Sequence, residues 1–221
     1  LTFSKRFAEC EDKWIAFEKG KEGTYMFGFI YIDHQAGLTL NYEGEFKIGE
    51  GNVFIRQPKI DSGIVFFKTR LKPDNGNVAL IPSSKFDELK VKEIPEWLHI
   101  YKTYTDTANR LQRWGYYYND WGMSEKALEY LEPGYRMSPD YKGMAVELAF
   151  AYNALGKYDK AIPVLNKAIE LNPKDGYIYK ELSYAHLKMG NLEEAEKVAE
   201  QGIKHYDDNR MKTEIAYNLT Y

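Results

Sequence analysis

The chain has 221 residues, of which 44% are hydrophobic and 29% charged, a globular composition with room for one large or two small domains. Its net charge of −3 is shared between both halves, so neither half carries the basic surface expected of a protein that binds nucleic acid. No apolar run reaches the ~18 residues of a transmembrane helix, and membrane insertion is not expected.

Cysteine and histidine usage argues against a disulfide and a metal site. Cys10 is the single cysteine, and the four histidines lie at scattered positions without the spacing of zinc ligands. We therefore predict no metal and no cofactor. The chain begins at Leu1, so either a signal peptide was removed or the sequence was trimmed. Its 19 tyrosines and near lack of cysteine resemble exported proteins of some Gram-negative bacteria, which favours the periplasm over the cytoplasm.

Residues 1–94 are predicted to form an N-terminal antiparallel β domain, as a meander, a small barrel or a sandwich. Short runs rich in aromatic and β-branched residues alternate with turn clusters of Gly, Asn, Asp and Pro. The run 25–32 is apolar on both faces and predicts a strand buried on both sides, whereas 38–43 alternates and predicts a strand with one wet face. Residues 3–14 fit either a strand or a short helical turn. Further strands are expected at 14–18, 46–48, 53–55, 64–67 and 78–81.

The helical half is predicted to begin at Pro95, a residue that suits the first turn of a helix. Residues 83–91 before it fit a short helix or a linker. From Trp97 to Tyr118, apolar residues recur at spacings of three and four, which is the pattern of one apolar stripe on a helix. We therefore expect one long helix to run unbroken from the linker into the helical half.

Three glycines spaced 34 residues apart, Gly122, Gly156 and Gly190, mark an internal repeat with units at 108–141, 142–175 and 176–209. A period of this length indicates stacked supersecondary units. Large, apolar, small and aromatic residues precede each glycine in a fixed order, and small and apolar residues follow it. The first set is Leu111, Trp114, Gly115 and Tyr118; Ala145, Leu148, Ala149 and Tyr152; Tyr179, Leu182, Ser183 and His186. The second set is Ala127, Leu131 and Gly134; Ala161, Leu165 and Ala168; Ala195, Ala199 and Gly202.

This pattern resembles the tetratricopeptide repeat, a helix–turn–helix unit of the same length. The resemblance implies an α-helical solenoid of three repeats followed by a terminal helix at 210–221. The whole chain is then an α+β two-domain protein, with a β domain at 1–94 and a repeat domain at 95–221. Pro139 and Pro173 close the first two units, whereas Asp207 stands where the third proline is expected, which suggests a degenerate last repeat.

The resemblance also implies a binding site, because the first helix of each unit lines a concave groove in this family. The equivalent residues Tyr116, Phe150 and Tyr184 would form an aromatic stripe there, and Asn119 and Asn153 would hydrogen-bond an extended peptide backbone. The alternative is that the aromatics only pack against neighbouring helices or the β domain. The full predicted set is Asn109, Gln112, Tyr116, Asn119, Val146, Phe150, Asn153, Tyr177, Lys180, Tyr184 and Leu187.

One subtype of this family is not expected. Members that grip a C-terminal carboxylate use Lys, Arg and Asn side chains on the same helices. The matching positions here are Gln112, Tyr116, Glu147, Tyr177 and Glu181. Capture of a free carboxylate is therefore not predicted.

The predicted function is a non-catalytic protein–protein interaction scaffold that holds an unidentified protein or peptide partner in the groove. No motif indicates catalysis: Cys10 fits a buried thiol better than a nucleophile, and His34 beside Asp33 fits a solvated turn. The alternatives are an enzyme or ligand-binding module in the β domain with the repeats as a docking arm, and a homodimer in which the repeats bind a second copy.

Overall fold

The computed structural model describes residues 1–58, 67–74, 77–102, 106–205 and 209–218. The chain divides into two compact units, Leu1–Tyr104 and Thr105–Tyr221. The first contains an antiparallel sheet with short helices, and the second is helical, which confirms the predicted α+β class. The division follows Tyr104 and not residue 94, because the segment from Pro95 to Lys102 belongs to the first unit.

Within the described residues of the first unit, seven strands form one open antiparallel sheet. They run in the order β1-β7-β2-β3-β4-β5, and β6 pairs with another part of β4. Strands β2 to β5 make a meander, and within the described residues no pairing joins β1 to β5, so the sheet is not a closed barrel. The strands are β1 Lys5–Arg6, β2 Lys13–Ala16, β3 Tyr25–Asp33, β4 Gly37–Ile48, β5 Phe54–Arg56, β6 Phe67–Arg70 and β7 Asn77–Leu80. A single helical turn, Phe7–Cys10, follows β1, so residues 3–14 contain both a strand and a turn.

Strand β4 differs from the prediction of one wet face. Thr39 and Asn41 are as buried as Leu38 and Leu40. At these residues β4 pairs with β3 on one side and β6 on the other, so it lies inside the sheet and not at its edge. The buried hydroxyl of Thr39 is satisfied, because its Oγ1 donates to the carbonyl oxygen of Gly37 at 3.0 Å.

The predicted strands 38–43 and 46–48 are one continuous strand with a bulge. The register between β3 and β4 shifts at Phe27 and Gly28, so that β4 holds one residue more than β3 opposite this point. The expected strand 64–67 lies outside the described residues except for Phe67, where β6 begins. The turn cluster expected at 61–63, and residues 75–76 of the cluster expected at 73–77, also lie outside them.

The aromatic core of the sheet packs against the segment that follows the last strand. This segment carries α1 Phe86–Leu89 and α2 Leu98–Lys102. The Trp97 ring lies 5.9 Å from Phe29 and 5.2 Å from Tyr31, and the Tyr101 ring lies 5.0 Å from Tyr31. Buried members of this core are Trp14, Ala16, Phe27, Phe29, Tyr31, Phe46, Phe54, Ile81, Leu89 and Leu98.

The prediction of one unbroken helix from Pro95 into the first repeat is wrong. Helix α2 ends at Lys102, and Asp106 is extended, with φ −116° and ψ 97°. The Asp106 carboxylate accepts a hydrogen bond from the backbone N–H of Asn109 at 2.9 Å, which caps a new helix. The apolar spacing continued across the break because each of the two helices buries its own apolar face, the first against the sheet and the second against the repeats.

The described part of the second unit contains seven helices, arranged as three pairs and a terminal helix. They are α3 Thr107–Asp120, α4 Ser124–Met137, α5 Met144–Ala154, α6 Tyr158–Leu171, α7 Gly176–Lys188, α8 Leu192–Ile203 and α9 Asn209–Asn218. Gly122, Gly156 and Gly190 lie between the paired helices with φ of 67°, 70° and 80°, a conformation that glycine adopts without strain. The three-repeat prediction is confirmed.

The small residues of the repeat lie where two helices touch. A Cβ built on Gly115 of α3 would lie 2.2 Å from Cγ of Leu131 on α4, so no larger residue fits without movement. The equivalent residues Ala149 and Ser183 are also buried. This packing fixes the first helix of each pair and thereby its outward side chains.

Candidate functional site

The first helices of successive repeats form one layer. Helix α3 contacts α5, α5 contacts α7, and α7 contacts α9. We call the outward side of α3, α5 and α7 the first-helix face, and it includes the equivalent residues Tyr116, Phe150 and Tyr184. Side chains from three neighbouring helices are therefore presented together.

The aromatic side chains on this face are exposed on α3 and α5 and half-buried on α7. Tyr116 is 46% exposed and Phe150 is 40% exposed. Tyr184 is half-buried: its ring lies edge-on to Tyr158 at 6.2 Å, and Nζ of Lys188 lies 5.4 Å from its centre. The first two aromatics are therefore available to a partner, and the third is engaged within the repeats.

Asn119 and Asn153 were predicted to hydrogen-bond a bound peptide, but their side chains do not lie on the open surface. They are buried, with 6% and 4% exposure. Nδ2 of Asn119 donates to both the backbone oxygen and Oε2 of Glu147, each at 2.9 Å. Nδ2 of Asn153 repeats this pattern with Glu181, at 3.0 Å to each oxygen. The two amides therefore tie each first helix to the next one.

We call the two pairs Asn119–Glu147 and Asn153–Glu181 the asparagine–glutamate ladder. The surroundings of its two carboxylates disfavour their charged forms. Burial is the main cause that raises the pKa of Glu147, and the negative charges of Glu181 and Asp120 raise it further. Burial also raises the pKa of Glu181 above its usual range, although the Asn153 hydrogen bond and Lys180 oppose the shift. Within the described residues, Oδ1 of Asn119 and Oδ1 of Asn153 are buried acceptors that receive no hydrogen bond. The ladder thus concentrates acceptors and negative charge.

The remaining predicted residues have mixed positions. Tyr177 is exposed and Val146 and Leu187 are half-buried. Nδ2 of Asn109 donates to the hydroxyl of Tyr141 at 2.8 Å, which engages it within the first repeat. Nζ of Lys180 pairs with Oε2 of Glu214 on α9 at 3.0 Å. Gln112 approaches the start of α5, where its Nε2 would lie 3.2 Å from a Cβ on Gly143.

Glu147 and Glu181 are not among the predicted site residues, although the sequence contains a signal for them. Both recur at the repeat period, and so do their asparagine partners. A polar pair that recurs at equivalent positions of two units indicates one contact made twice. The burial of the pair could not be read from the sequence, because it depends on the neighbouring helix.

Replacing both carboxylates with neutral amides, as Glu147→Gln with Glu181→Gln, should remove a pH-dependent cost of folding. The pKa of each carboxyl is raised in the folded chain, so the folded state binds more protons than the unfolded state and stability falls as pH rises above about 4.3, the usual glutamate pKa. We expect the free energy of unfolding of the double variant, minus that of the wild type, to increase from acidic to neutral pH in urea titrations.

The matched control for this experiment is Glu193→Gln with Glu200→Gln. Both residues are exposed on α8, and the exchange changes the net charge by the same amount. The control should show no comparable rise. A difference between double variant and wild type that is flat or that falls with pH would contradict the direction of the two pKa shifts.

The β unit offers no comparable constellation within its described residues. A cavity of about 390 Å³ has two titratable side chains in its wall, Lys5 and Lys85, which pair with Glu9 at 3.2 Å and Glu88 at 2.8 Å. Cys10 is buried, and burial raises the pKa of its thiol to about 11, which disfavours the reactive thiolate.

Two kinds of feature are absent from the described residues, a metal-binding cluster and a membrane-spanning helix. No group of three or more His, Cys, Asp or Glu side chains in that part of the chain is arranged to hold a metal ion. None of the helices described above combines the length and the apolar character needed to cross a membrane.

Comparison with known proteins identifies the repeats. A family model described as tetratricopeptide repeat matches residues 122–179 and 153–213. No curated protein sequence matches the chain. The helical half is therefore a tetratricopeptide-repeat domain.

Several solved repeat domains are similar to part of the chain. The first TPR domain of human RPAP3 is 25% identical, with a TM-score of 0.47 over 52% of this chain and 93% of that one. The second TPR domain of human RPAP3, solved with an HSP70 peptide, is 21% identical, with a TM-score of 0.46 over 51% and 94%. The Sgt2 TPR domain from Aspergillus fumigatus is 21% identical, with a TM-score of 0.47 over 52% and 78%.

Proposed function

We propose that this chain, whose helical half is built from tetratricopeptide repeats, is a non-catalytic scaffold that binds an extended segment of another protein along the first-helix face. The observation that carries the proposal is the exposure of Tyr116 and Phe150 at equivalent positions of adjacent helices. Large aromatics are costly to leave in water and are frequent anchors of protein interfaces.

The arrangement of the helices supports an extended ligand. Adjacent first helices pack side by side, so equivalent residues lie at similar heights on neighbouring helices. A segment that crosses α3 and α5 would meet Tyr116 and then Phe150. The hydrogen bonds of Asn119 and Asn153 hold this layer together, so the aromatics are presented on a fixed frame.

Site-specific photo-cross-linking tests the proposal. A photoreactive phenylalanine analogue replaces either Tyr116 or Phe150, and in control proteins it replaces Lys167 on α6 or Glu200 on α8, which are exposed away from the first-helix face. Each variant is irradiated in a lysate of the native organism. We expect discrete cross-linked products from Tyr116 and Phe150 that are absent from the two controls.

Two other patterns of cross-linking would contradict the proposal. Products from Lys167 or Glu200 with none from Tyr116 and Phe150 would place the interaction on another surface and overturn the proposal. Cross-links to a second copy of this chain from the first-helix face would favour the homodimer instead.

A further inference from the structure

We propose that the segment held by the first-helix face is basic, with lysine or arginine side chains directed at Glu147 and Glu181 and apolar side chains on Tyr116 and Phe150. This inference rests on the function proposed above and names the chemistry of its partner. It follows from three features of the face: its exposed aromatics, its negative charge and the way its own cations are engaged.

Carboxylates accompany the exposed aromatics on this face. Glu147 precedes Phe150 by three residues, and Asp120 follows Tyr116 by four, spacings that place each pair on one side of a helix. The negative charges of Asp120 and Glu147 raise the pKa of the Tyr116 hydroxyl, after the effect of burial, so both lie near this ring. An aromatic face flanked by carboxylates suits a cation on an apolar stem, which gains from both groups.

The buried asparagine amides leave the carboxylates of Glu147 and Glu181 as the acceptors of this part of the face. The amide of Asn119 lies against the Glu147 carboxylate, and the amide of Asn153 lies against the Glu181 carboxylate. Each amide is more than nine-tenths buried, yet its Oδ1 receives no hydrogen bond within the described residues. Because each Oδ1 is sealed from solvent, the acceptors that a partner can reach are the half-buried carboxylates of Glu147 and Glu181. An ammonium or guanidinium group brings these carboxylates several N–H groups together with the opposite charge.

The cations already on the face neutralise the Glu147 and Glu181 carboxylates only in part: Lys180 acts to lower the pKa of Glu181, but burial still raises it overall. Lys180 is paired with Glu214 on the next helix, and Lys188 lies over the Tyr184 ring. Arg113 occupies on α3 the position that Glu147 occupies on α5, and its Nη2 donates to the Tyr117 hydroxyl at 3.4 Å. The attraction for a cation therefore centres on α5 and α7, and Arg113 opposes a cation at the α3 end.

Fluorescence anisotropy with defined peptides tests the inference. The probe is a short end-capped peptide of alternating lysine and leucine, and its counterpart carries glutamate in place of lysine. The proteins are the wild type, Glu147→Gln with Glu181→Gln, and the control Glu193→Gln with Glu200→Gln. Glutamine retains the oxygen that accepts from asparagine but carries no charge, so the ladder is kept while the attraction is removed.

We expect the lysine peptide to bind the wild type and the control equally, and the Glu147 and Glu181 double variant about tenfold more weakly. Added salt should weaken binding to the wild type more than to that double variant, because exposed charge interactions are screened. The glutamate peptide should not bind.

Equal binding of the lysine peptide by the two double variants would overturn the inference, as would tighter binding of the glutamate peptide. Failure of the lysine peptide to bind the wild type would overturn it as well. In each case, partner cross-links from Tyr116 and Phe150 would leave the proposed function standing, so the two failures are distinguishable.

Discussion

Leu148→Ala should lower the free energy of unfolding by about 2–5 kcal/mol, the range for a leucine deleted from a packed core. Leu148 is 2% exposed on α5, one residue before the small contact residue Ala149. Its loss leaves a cavity in the middle repeat, which has a neighbour on each side and little freedom to collapse. Urea unfolding followed by circular dichroism measures the change.

Phe150→Ala is the matched control, because this residue lies on the same helix but is 40% exposed. It should lose much less stability than Leu148→Ala, since substitutions at exposed positions usually change stability by about 0.5 kcal/mol or less. If Leu148→Ala cost well under about 1 kcal/mol, Leu148 would not lie in the core described here.

Gly28→Ala should destabilise the β unit by about 1–3 kcal/mol, the usual cost of overpacking. A Cβ at this position of β3 would lie 2.5 Å from the carbonyl oxygen of Asn41 and 2.8 Å from Cδ1 of Leu40. The backbone of β4 cannot move away easily, because β3 pairs with it along its length. The lower chain entropy of alanine offsets only about 0.5–1 kcal/mol of this cost.

Gly20→Ala is the control for that prediction. A Cβ on this exposed glycine would have as its nearest neighbour the oxygen of Thr24 at 3.6 Å, an ordinary contact. Its stability should stay within about 0.5 kcal/mol of the wild type. Thermal unfolding of both variants gives the comparison, and a Gly28→Ala protein as stable as Gly20→Ala would show that the two strands are less closely packed than described.

The repeat half was predictable because its information is local and periodic. Gly122, Gly156 and Gly190 each follow a first helix, and the same pattern of packing residues recurs around each of them. Because the pattern occurs three times, the helices of one unit can be predicted from those of the others. The exposed aromatics Tyr116 and Phe150 could be placed on the outward side by the same logic.

The errors arose where a long-range contact decides the outcome. Thr39 and Asn41 alternate with apolar residues, which predicted a solvent-exposed face, but both side chains are buried where β4 pairs with β3 and β6. Asp106 lies within an unbroken apolar periodicity, yet its carboxylate caps α3, while Trp97 and Tyr101 before it pack against the core of the sheet. Asparagine is usually a surface residue, but Asn119 and Asn153 are buried because each contacts the next first helix.

The asparagine–glutamate ladder gives the three repeats distinct ends. The first unit carries the donor Asn119 but has Arg113 where a glutamate would stand, and the third carries the acceptor Glu181 but has Leu187 in place of asparagine. The middle unit, 142–175, carries both Glu147 and Asn153. It is therefore compatible with a copy of itself, whereas the outer units stop the series. Tandem duplication of residues 142–175 should accordingly lengthen the array, with a new asparagine–glutamate hydrogen bond at the added junction. The middle unit can therefore be repeated to build longer arrays.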